Sequence, residues 1–213
     1  MSKTDYAYDI IKEQIVSGKL KPSEELSEKV FQEKLSVSRT PIREAFQTLH
    51  HEGFIEIHPR KSILVAPVTF HLLEQIFDTR IMLEPQLFKR ACGKIEDEKL
   101  LDMRWRLLNP PDHMSSHEQE IYYNNLDLEL HSSVVPYINN LFIENTFRIV
   151  QDHETRIRNI LFNIDTNSPV IEEHVSIINA LLQRSESEIV SQVTIHTENA
   201  RKKAFLYFFD HTI

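Results

Sequence analysis

Four side chains in the C-terminal part of the chain have the types and spacing of a metal site. Asp127 and His131 are four residues apart, so on a helix they project from one face, about 40° apart. They can share a metal ion if further ligands come from other helices, and His174 and His196 are the candidates. One carboxylate and three neutral imidazoles suit Zn²⁺, Ni²⁺ or Mn²⁺ better than Ca²⁺ or Mg²⁺. The chain has 11 histidines, so pairs at helical spacing also arise by chance. The alternative is that these histidines bind no metal and are either hydrogen-bonded in the core or exposed on the surface.

A second group of side chains is suited to binding nucleic acid. Arg39 and Arg43 are four residues apart at the start of a predicted helix, so they share one of its faces. A guanidinium is a planar fork of donors that fits both guanine edges and phosphates. The segment Lys29–Lys61 holds six basic and four acidic side chains, so it is locally positive. The alternative is a set of solvated surface charges on a small helical domain.

The elements that position these arginines follow from the apolar pattern of residues 1–67. Helical spacing predicts helices over residues 5–17 and 26–35, and a third helix that begins after Ser38 as its N-cap. Two short strands, 54–57 and 62–65, flank a basic tip and predict a hairpin. Three helices followed by a hairpin are the layout of a winged helix-turn-helix, in which the third helix enters the major groove of DNA.

The four candidate metal ligands lie in residues 68–213, where no alternating strand pattern occurs. This part predicts an all-α bundle of six helices, large enough to bury its own core. The predicted helices are 69–92, 96–108, 116–135, 138–163, 169–183 and 186–210. The predicted fold class is therefore mostly α, with an N-terminal winged helix-turn-helix and a C-terminal six-helix bundle.

Composition excludes several classes of protein. Three glycines leave no material for a glycine-rich phosphate loop, which argues against P-loop and dinucleotide-binding enzymes. The single cysteine, Cys92, fits a reducing cytosol, and no apolar run is long enough to span a membrane. The net charge of −8 falls wholly after residue 66, since residues 1–66 hold ten basic and ten acidic side chains. This asymmetry indicates two units with different tasks.

The N-terminal part resembles the DNA-binding domain of the GntR transcription regulators. The resemblance is carried by the runs Leu26–Lys29, Leu35–Phe46 and Leu49–Ile55, with the core Val-Ser-Arg-Thr-Pro-Ile-Arg-Glu-Ala. It implies contacts with bases and phosphates from the start of the third helix, from the second helix and from the wing. The residues that match these positions are Ser38, Arg39, Thr40, Arg43, Lys29, Arg60 and Lys61. Ser23 and Ser62 depart from the pattern, since the family usually has glycine at both positions.

The C-terminal part resembles the FCD effector domain of the FadR-like GntR branch. Asp127-x3-His131, Asn140, Glu173-His174 and His196 match its pattern, and Arg80-x-x-Leu-Glu84 matches its first helix. Six helices are more similar to the shorter, VanR-like form. The resemblance implies a metal held by Asp127, His131, His174 and His196.

The resemblance also implies a small carboxylate effector, which arginine can bind through charge-assisted hydrogen bonds. Arg80 is the first candidate for that contact, and Arg156 and Arg158 are further ones. The alternative role for Arg80 is an i,i+4 ion pair with Glu84.

These observations favour a cytoplasmic, homodimeric transcription regulator, most simply a repressor, that binds a palindromic operator in double-stranded DNA. A carboxylate effector in the metal-bearing bundle would modulate operator binding, with zinc as the first choice of metal and nickel or manganese as others. The alternative is a metal-dependent enzyme acting on a small organic acid, with the helix-turn-helix as an accessory module. A third possibility is a metal with a purely structural role.

Overall fold

The computed structural model describes residues 1–58, 62–161 and 168–212, which form two compact units. The first unit comprises Met1–Leu72 together with Gln151–Leu161, and the second comprises Leu73–Val150 together with the described part of Phe162–Ile213. The segment Gln151–Leu161 therefore clusters with the N-terminal residues, although the sequence pattern places it in the middle of the helical bundle.

The first unit is a three-helix domain with a two-stranded hairpin. Its elements are α1 (Lys3–Val16), α2 (Glu28–Leu35), α3 (Arg39–His51), β1 (Ile55–Ile57) and β2 (Ile63–Val65). The strands are antiparallel, with Ile55 opposite Val65 and Ile57 opposite Ile63. The structure thus confirms the predicted winged helix-turn-helix fold, with Ser38 as the N-cap of α3.

Local sequence explains where these helices begin and turn. Ser2 and Asp5 form a reciprocal capping box that fixes the start of α1. Ser36 takes a left-handed conformation, with φ of 54°, and makes the sharp turn between α2 and α3. Ser23 has φ of 65°, the left-handed region that favours glycine, so serine adopts there the backbone expected of the glycine that it replaces.

The core of the first unit is built from the apolar stripes of α1 and α3. Ile11 and Ile15 on α1 face Ile42, Phe46 and Leu49 on α3, and all five side chains are buried. Burial of this stripe leaves the opposite side of α3, which carries its arginines, exposed to solvent. The predicted periodicity of the third helix is therefore correct.

The described residues of the second unit form helices joined by turns, with no strand among them. The remaining helices of the chain are α4 (Phe70–Ala91), α5 (Asp97–Leu108), α6 (Ser116–Ser132), α7 (Leu141–Leu161), α8 (Ser168–Leu182) and α9 (Glu186–Thr212), of which α7 continues into the first unit from Gln151. The predicted mostly α fold class is confirmed. None of the described helices is long and apolar enough to cross a membrane.

The junction between α6 and α7 differs from the expected boundaries. A 3₁₀ turn at Val135–Tyr137, which contains Pro136, ends the helical run early. Asn139 is left-handed, with φ of 45°, and the side-chain carbonyl of Asn140 accepts hydrogen bonds from the backbone of Phe142 and Ile143. Because an asparagine cap satisfies the first free N–H groups of a helix, α7 begins at residue 141 rather than 138.

The second part of α7 is fixed within the first unit by polar and aromatic contacts. His153 stacks on Phe54 with ring centroids 4.0 Å apart, and its Nε2 donates to the backbone carbonyl of Glu52 at 2.8 Å. Asp152, the residue before His153, forms an ion pair of 2.6 Å with Lys12 of α1. These contacts explain why the segment clusters with α1 and α3.

The buried imidazole of His153 makes the stability of the protein depend on pH. Burial lowers the pKa of His153 to about 4, against 6.5 for an ordinary histidine. Below pH 6.5 the His153 imidazole binds a proton in the unfolded chain but stays neutral in the folded chain. The free energy of unfolding therefore falls as the pH decreases toward 4. We expect this histidine to contribute about 2 kcal/mol to the loss of stability between pH 7 and pH 5.

Urea denaturation at both pH values measures this contribution. His153→Phe keeps the ring stacked on Phe54 but does not titrate, so it should lose less stability than the wild type as the pH falls. His117→Phe, at an exposed position, is the matched control and should follow the wild type. Equal pH dependence of His153→Phe and the wild type would contradict the assignment.

Candidate metal centre and candidate nucleic-acid interface

Three helices of the second unit bring the four predicted metal ligands together. Asp127 and His131 lie on α6, His174 on α8 and His196 on α9, and one ligand atom of each lies within 4.8 Å of the others. His174 Nε2 is 3.1 Å from Asp127 Oδ1, and the Nε2 atoms of His131 and His196 are 3.3 Å apart. The four residues implied by the resemblance therefore converge in the structure, and all three imidazoles are buried.

The two shortest separations, 3.1 and 3.3 Å, are those expected between ligands that share one small cation. Around a tetrahedral Zn²⁺ with bonds of about 2.0–2.1 Å, neighbouring ligand atoms lie roughly 3.3 Å apart. His174 Nε2 is buried and lies 3.1 Å from Asp127 Oδ1, but it makes no well-aligned hydrogen bond within the described part of the chain. A buried ring nitrogen without a hydrogen bond is costly, and a metal ion would satisfy it. The residues therefore fit a divalent ion held by three nitrogens and one oxygen.

Two carboxylates outside the cluster set the orientation of its rings. Glu173 Oε2 accepts a hydrogen bond of 2.9 Å from His196 Nδ1, and Glu84 Oε2 lies 3.1 Å from His131 Nδ1. Because a carboxylate only accepts, each contact favours a hydrogen on Nδ1, so the neutral form of each ring carries its lone pair on Nε2, the nitrogen that faces the cluster. Carboxylate–histidine pairs of this kind orient metal ligands in many proteins.

The titration behaviour of these groups reflects their burial and charges. Burial lowers the pKa of His196 to about 4, which keeps its ring neutral. Burial also lowers the pKa of His131, but the charges of Glu84 and Asp127 outweigh it and raise that pKa overall. Burial raises the pKa of Glu84, yet the positive charges of Arg80 and His131 hold it far below its usual range.

Sequence reasoning missed the roles of Glu84 and Glu173. The sequence pattern indicates Glu84 only as a partner of Arg80, whereas in the structure Glu84 contacts both Arg80 and His131. Glu173 precedes a ligand by one residue and so points about 100° away from it on the helix. That direction carries it to His196 on the neighbouring helix instead. The Glu-His pair at 173–174 was the available signal, but sequence spacing cannot show contacts between helices.

The three arginines predicted to bind an effector lie in different units. Arg80 belongs to the second unit, and its Nε donates to Glu84 Oε1 at 2.6 Å, so it adjoins the metal cluster through Glu84. Arg156 belongs to the first unit, where it is fully buried and donates to the carbonyl of Ala66. Burial lowers the pKa of Arg156 to about 10. Arg158 also belongs to the first unit and donates to Glu154 on its own helix.

The predicted nucleic-acid contacts surround the N-terminal end of α3. Ser38, Arg39, Thr40 and Arg43 are exposed there, and Lys29 is exposed on α2. The Nε atoms of Arg39 and Arg43 donate to opposite oxygens of Glu28, at 2.6 and 3.0 Å. Arg60 and Lys61, predicted at the tip of the wing, lie outside the described residues.

Comparison with known proteins agrees with this arrangement. The family described as "Bacterial regulatory proteins, gntR family" matches residues 3–65, and the FCD domain matches residues 75–199. The Nta operon transcriptional regulator of Aminobacter aminovorans is 29% identical over 185 residues, covering 86% of this chain and 85% of that protein. The HTH-type transcriptional repressor RspR of Escherichia coli K12 is 22% identical over 192 residues, covering 90% of this chain and 84% of that protein.

Solved structures share the same fold. The structure of E. coli McbR/YncC superposes with a TM-score of 0.77 at 18% identity, covering 98% of this chain and 99% of that one. The matched families and relatives are regulators rather than enzymes, so the alternative of a metal-dependent enzyme is not retained. The chain belongs to the GntR family of DNA-binding transcription regulators, with a winged helix-turn-helix in front of an FCD domain.

Proposed function

We propose that this regulator is a cytoplasmic repressor whose FCD domain binds a divalent metal, most simply zinc, and a small carboxylate effector. The effector changes the affinity of a homodimer for a palindromic operator. The observation that carries the proposal is the convergence of Asp127, His131, His174 and His196 within 4.8 Å in the second unit. Two relatives, RspR and the gluconate operon repressor of Bacillus subtilis, are named as repressors, which supports the sign of regulation.

The chemistry of the cluster supports metal binding. Orientation of His131 by Glu84 and of His196 by Glu173 points two imidazole lone pairs at one place. Two lone pairs 3.3 Å apart repel each other unless one ring is protonated or a cation lies between them. A mixed set of imidazoles and one carboxylate favours zinc, nickel or manganese. A metal ion would take the place of that proton and would also link α6, α8 and α9.

A carboxylate effector fits this centre because it can complete the coordination of a metal that has open positions. Arg80 remains a predicted effector ligand, although its contacts also support a role in holding Glu84. Arg156 and Arg158 remain predictions with less support, since both belong to the DNA-binding unit. The effector can shift DNA binding only by its difference in affinity for two states of the protein, typically about 1–3 kcal/mol.

The exposed end of α3 supports the proposed operator contacts. Arg39 and Arg43 offer two guanidinium groups on one helical face, suited to guanine edges and phosphates. A homodimer places two such helices on a two-fold site, which requires a palindromic operator. The helix α5 exposes Leu101, Trp105 and Leu108 at helical spacing, an apolar stripe that supports self-association of the second unit.

The metal site is tested by His174→Ala, with His117→Ala as an exposed control. After purification without a metal-affinity column, elemental analysis should find about one metal ion per wild-type chain and per control chain. His174→Ala should lose most of this metal, and its melting temperature should fall toward that of chelator-treated wild type. Glu173→Gln should keep the site but weaken metal affinity about 10–100-fold. Full occupancy in His174→Ala would contradict the assigned ligand set.

The link between metal and effector is tested by calorimetric titration with simple carboxylates, such as acetate, lactate and citrate. We expect at least one of them to bind the metal-loaded protein, to lose binding after chelation and to regain it when zinc is restored. If chelation lowers only the melting temperature and leaves carboxylate binding intact, the metal has a structural role.

The DNA contact is tested with Arg43→Ala on a duplex that the wild type selects from a randomised pool. If Arg43 makes a bidentate contact with a base, its loss should cost about 1–3 kcal/mol of binding free energy. If Arg43 contacts a phosphate, its loss should reduce the slope of log affinity against log salt concentration by about one. Arg148→Ala, which removes an exposed arginine of the second unit, is the control. If neither affinity nor slope changes in Arg43→Ala, the recognition helix is assigned wrongly.

A further inference from the structure

Glu28 holds both arginines of the recognition helix through a single carboxylate. Its Oε2 accepts from Arg39 Nε at 2.6 Å, and its Oε1 accepts from Arg43 Nε at 3.0 Å. Both arginine side chains are 60% exposed, whereas the Glu28 side chain is only 19% exposed. Glu28 is the first residue of α2, so the two helices of the helix-turn-helix are joined here by charge-assisted hydrogen bonds.

The choice of nitrogen atom matters for recognition. Each arginine uses Nε for Glu28, and the terminal nitrogens of both guanidinium groups have no hydrogen-bond partner within the described residues. Those terminal nitrogens form the end-on fork that reads the O6 and N7 atoms of guanine. Glu28 therefore fixes the inner edge of each guanidinium and leaves the reading edge available.

The charge of Glu28 acts differently on bases and on phosphates. The two arginines alone carry a charge of +2, and together with Glu28 the group carries +1, so its attraction for a phosphate is weakened. A guanine edge has no net charge, and its hydrogen bonds depend mainly on the placement of the donors. A carboxylate behind two arginines thus penalises sequence-independent phosphate contacts more than base contacts.

The surroundings of Glu28 are those of a reading surface. A groove of about 560 Å³ opens beside it between α2, α3 and the hairpin. Gln47 lies on the same stripe of α3, four residues after Arg43, and Gln32 contributes an amide from α2. Amide side chains are suited to the edge of adenine, so the groove offers several donors and acceptors for bases.

We propose that Glu28 is a positioning residue that sets the sequence selectivity of this regulator by orienting Arg39 and Arg43 and by lowering their affinity for phosphates. The proposal rests on the proposed contact of these two arginines with DNA. It assigns Glu28 no contact with DNA of its own. Its effect is therefore expected in the ratio of affinities for two duplexes rather than in overall binding strength.

The experiment compares Glu28→Ala, Glu28→Gln and wild type on two duplexes of equal length and composition. One duplex is selected by the wild type from a randomised pool, and the other is its scrambled sequence. In Glu28→Ala we expect tighter binding to the scrambled duplex, a steeper salt dependence there, and a selectivity ratio lowered about tenfold. Glu28→Gln should lose less selectivity, because its amide oxygen still accepts from one arginine.

Glu13→Ala is the matched control, since it removes one exposed negative charge from α1 and should leave the selectivity ratio unchanged. Thermal melting checks that each variant is folded, and Glu28→Gln carries the test if Glu28→Ala is not. A selectivity ratio within about twofold of the wild type in the folded Glu28 variants would overturn the proposal. Equal losses on both duplexes would overturn it too. If the wild type itself selects no duplex, the proposed operator binding fails instead.

Discussion

The second unit depends on the need to satisfy three imidazole rings buried in an apolar core. His131, His174 and His196 lie at the edge of a core formed by residues such as Leu130, Ile177 and Val193. Each buried ring nitrogen needs a partner, because an unsatisfied polar atom in this environment is costly. Glu173 accepts a hydrogen bond from the outer nitrogen of His196, and Glu84 lies 3.1 Å from the outer nitrogen of His131. The inner nitrogens face Asp127 and one another. These contacts link side chains from α6, α8 and α9 at one place in the second unit.

Much of this structure could be predicted from the sequence because its elements carry strong local signals. The apolar stripe of α3, the cap at Ser38 and the four-residue spacing of Asp127 and His131 each act within one or two helical turns. Where an observed helix boundary differs from the predicted one, the cause is also local. The helix α7 begins later than predicted because Asn140 caps it, and apolar periodicity contains no information about caps.

What the sequence could not show depends on contacts between distant segments. Periodicity identifies α7 as one amphipathic helix, but it does not tell which core each part of the helix contacts. The stacking of His153 on Phe54 decides that the segment Gln151–Leu161 clusters with the DNA-binding unit. The sequence likewise cannot show that Arg156, a predicted effector ligand, donates to the carbonyl of Ala66 within the first unit.

The same physical device recurs in both units. Glu173 and Glu84 each contact the outer nitrogen of an imidazole, and Glu28 contacts the inner nitrogen of two guanidinium groups. A carboxylate can only accept, so each of these contacts determines which nitrogen points toward the protein and which points toward the ligand. Orientation by a carboxylate also adds negative charge beside the working group. That charge would favour a cation at the cluster of Asp127 and three histidines and would oppose a phosphate at α3. Under the two proposals, the same device strengthens ligand binding in one unit and restricts it in the other.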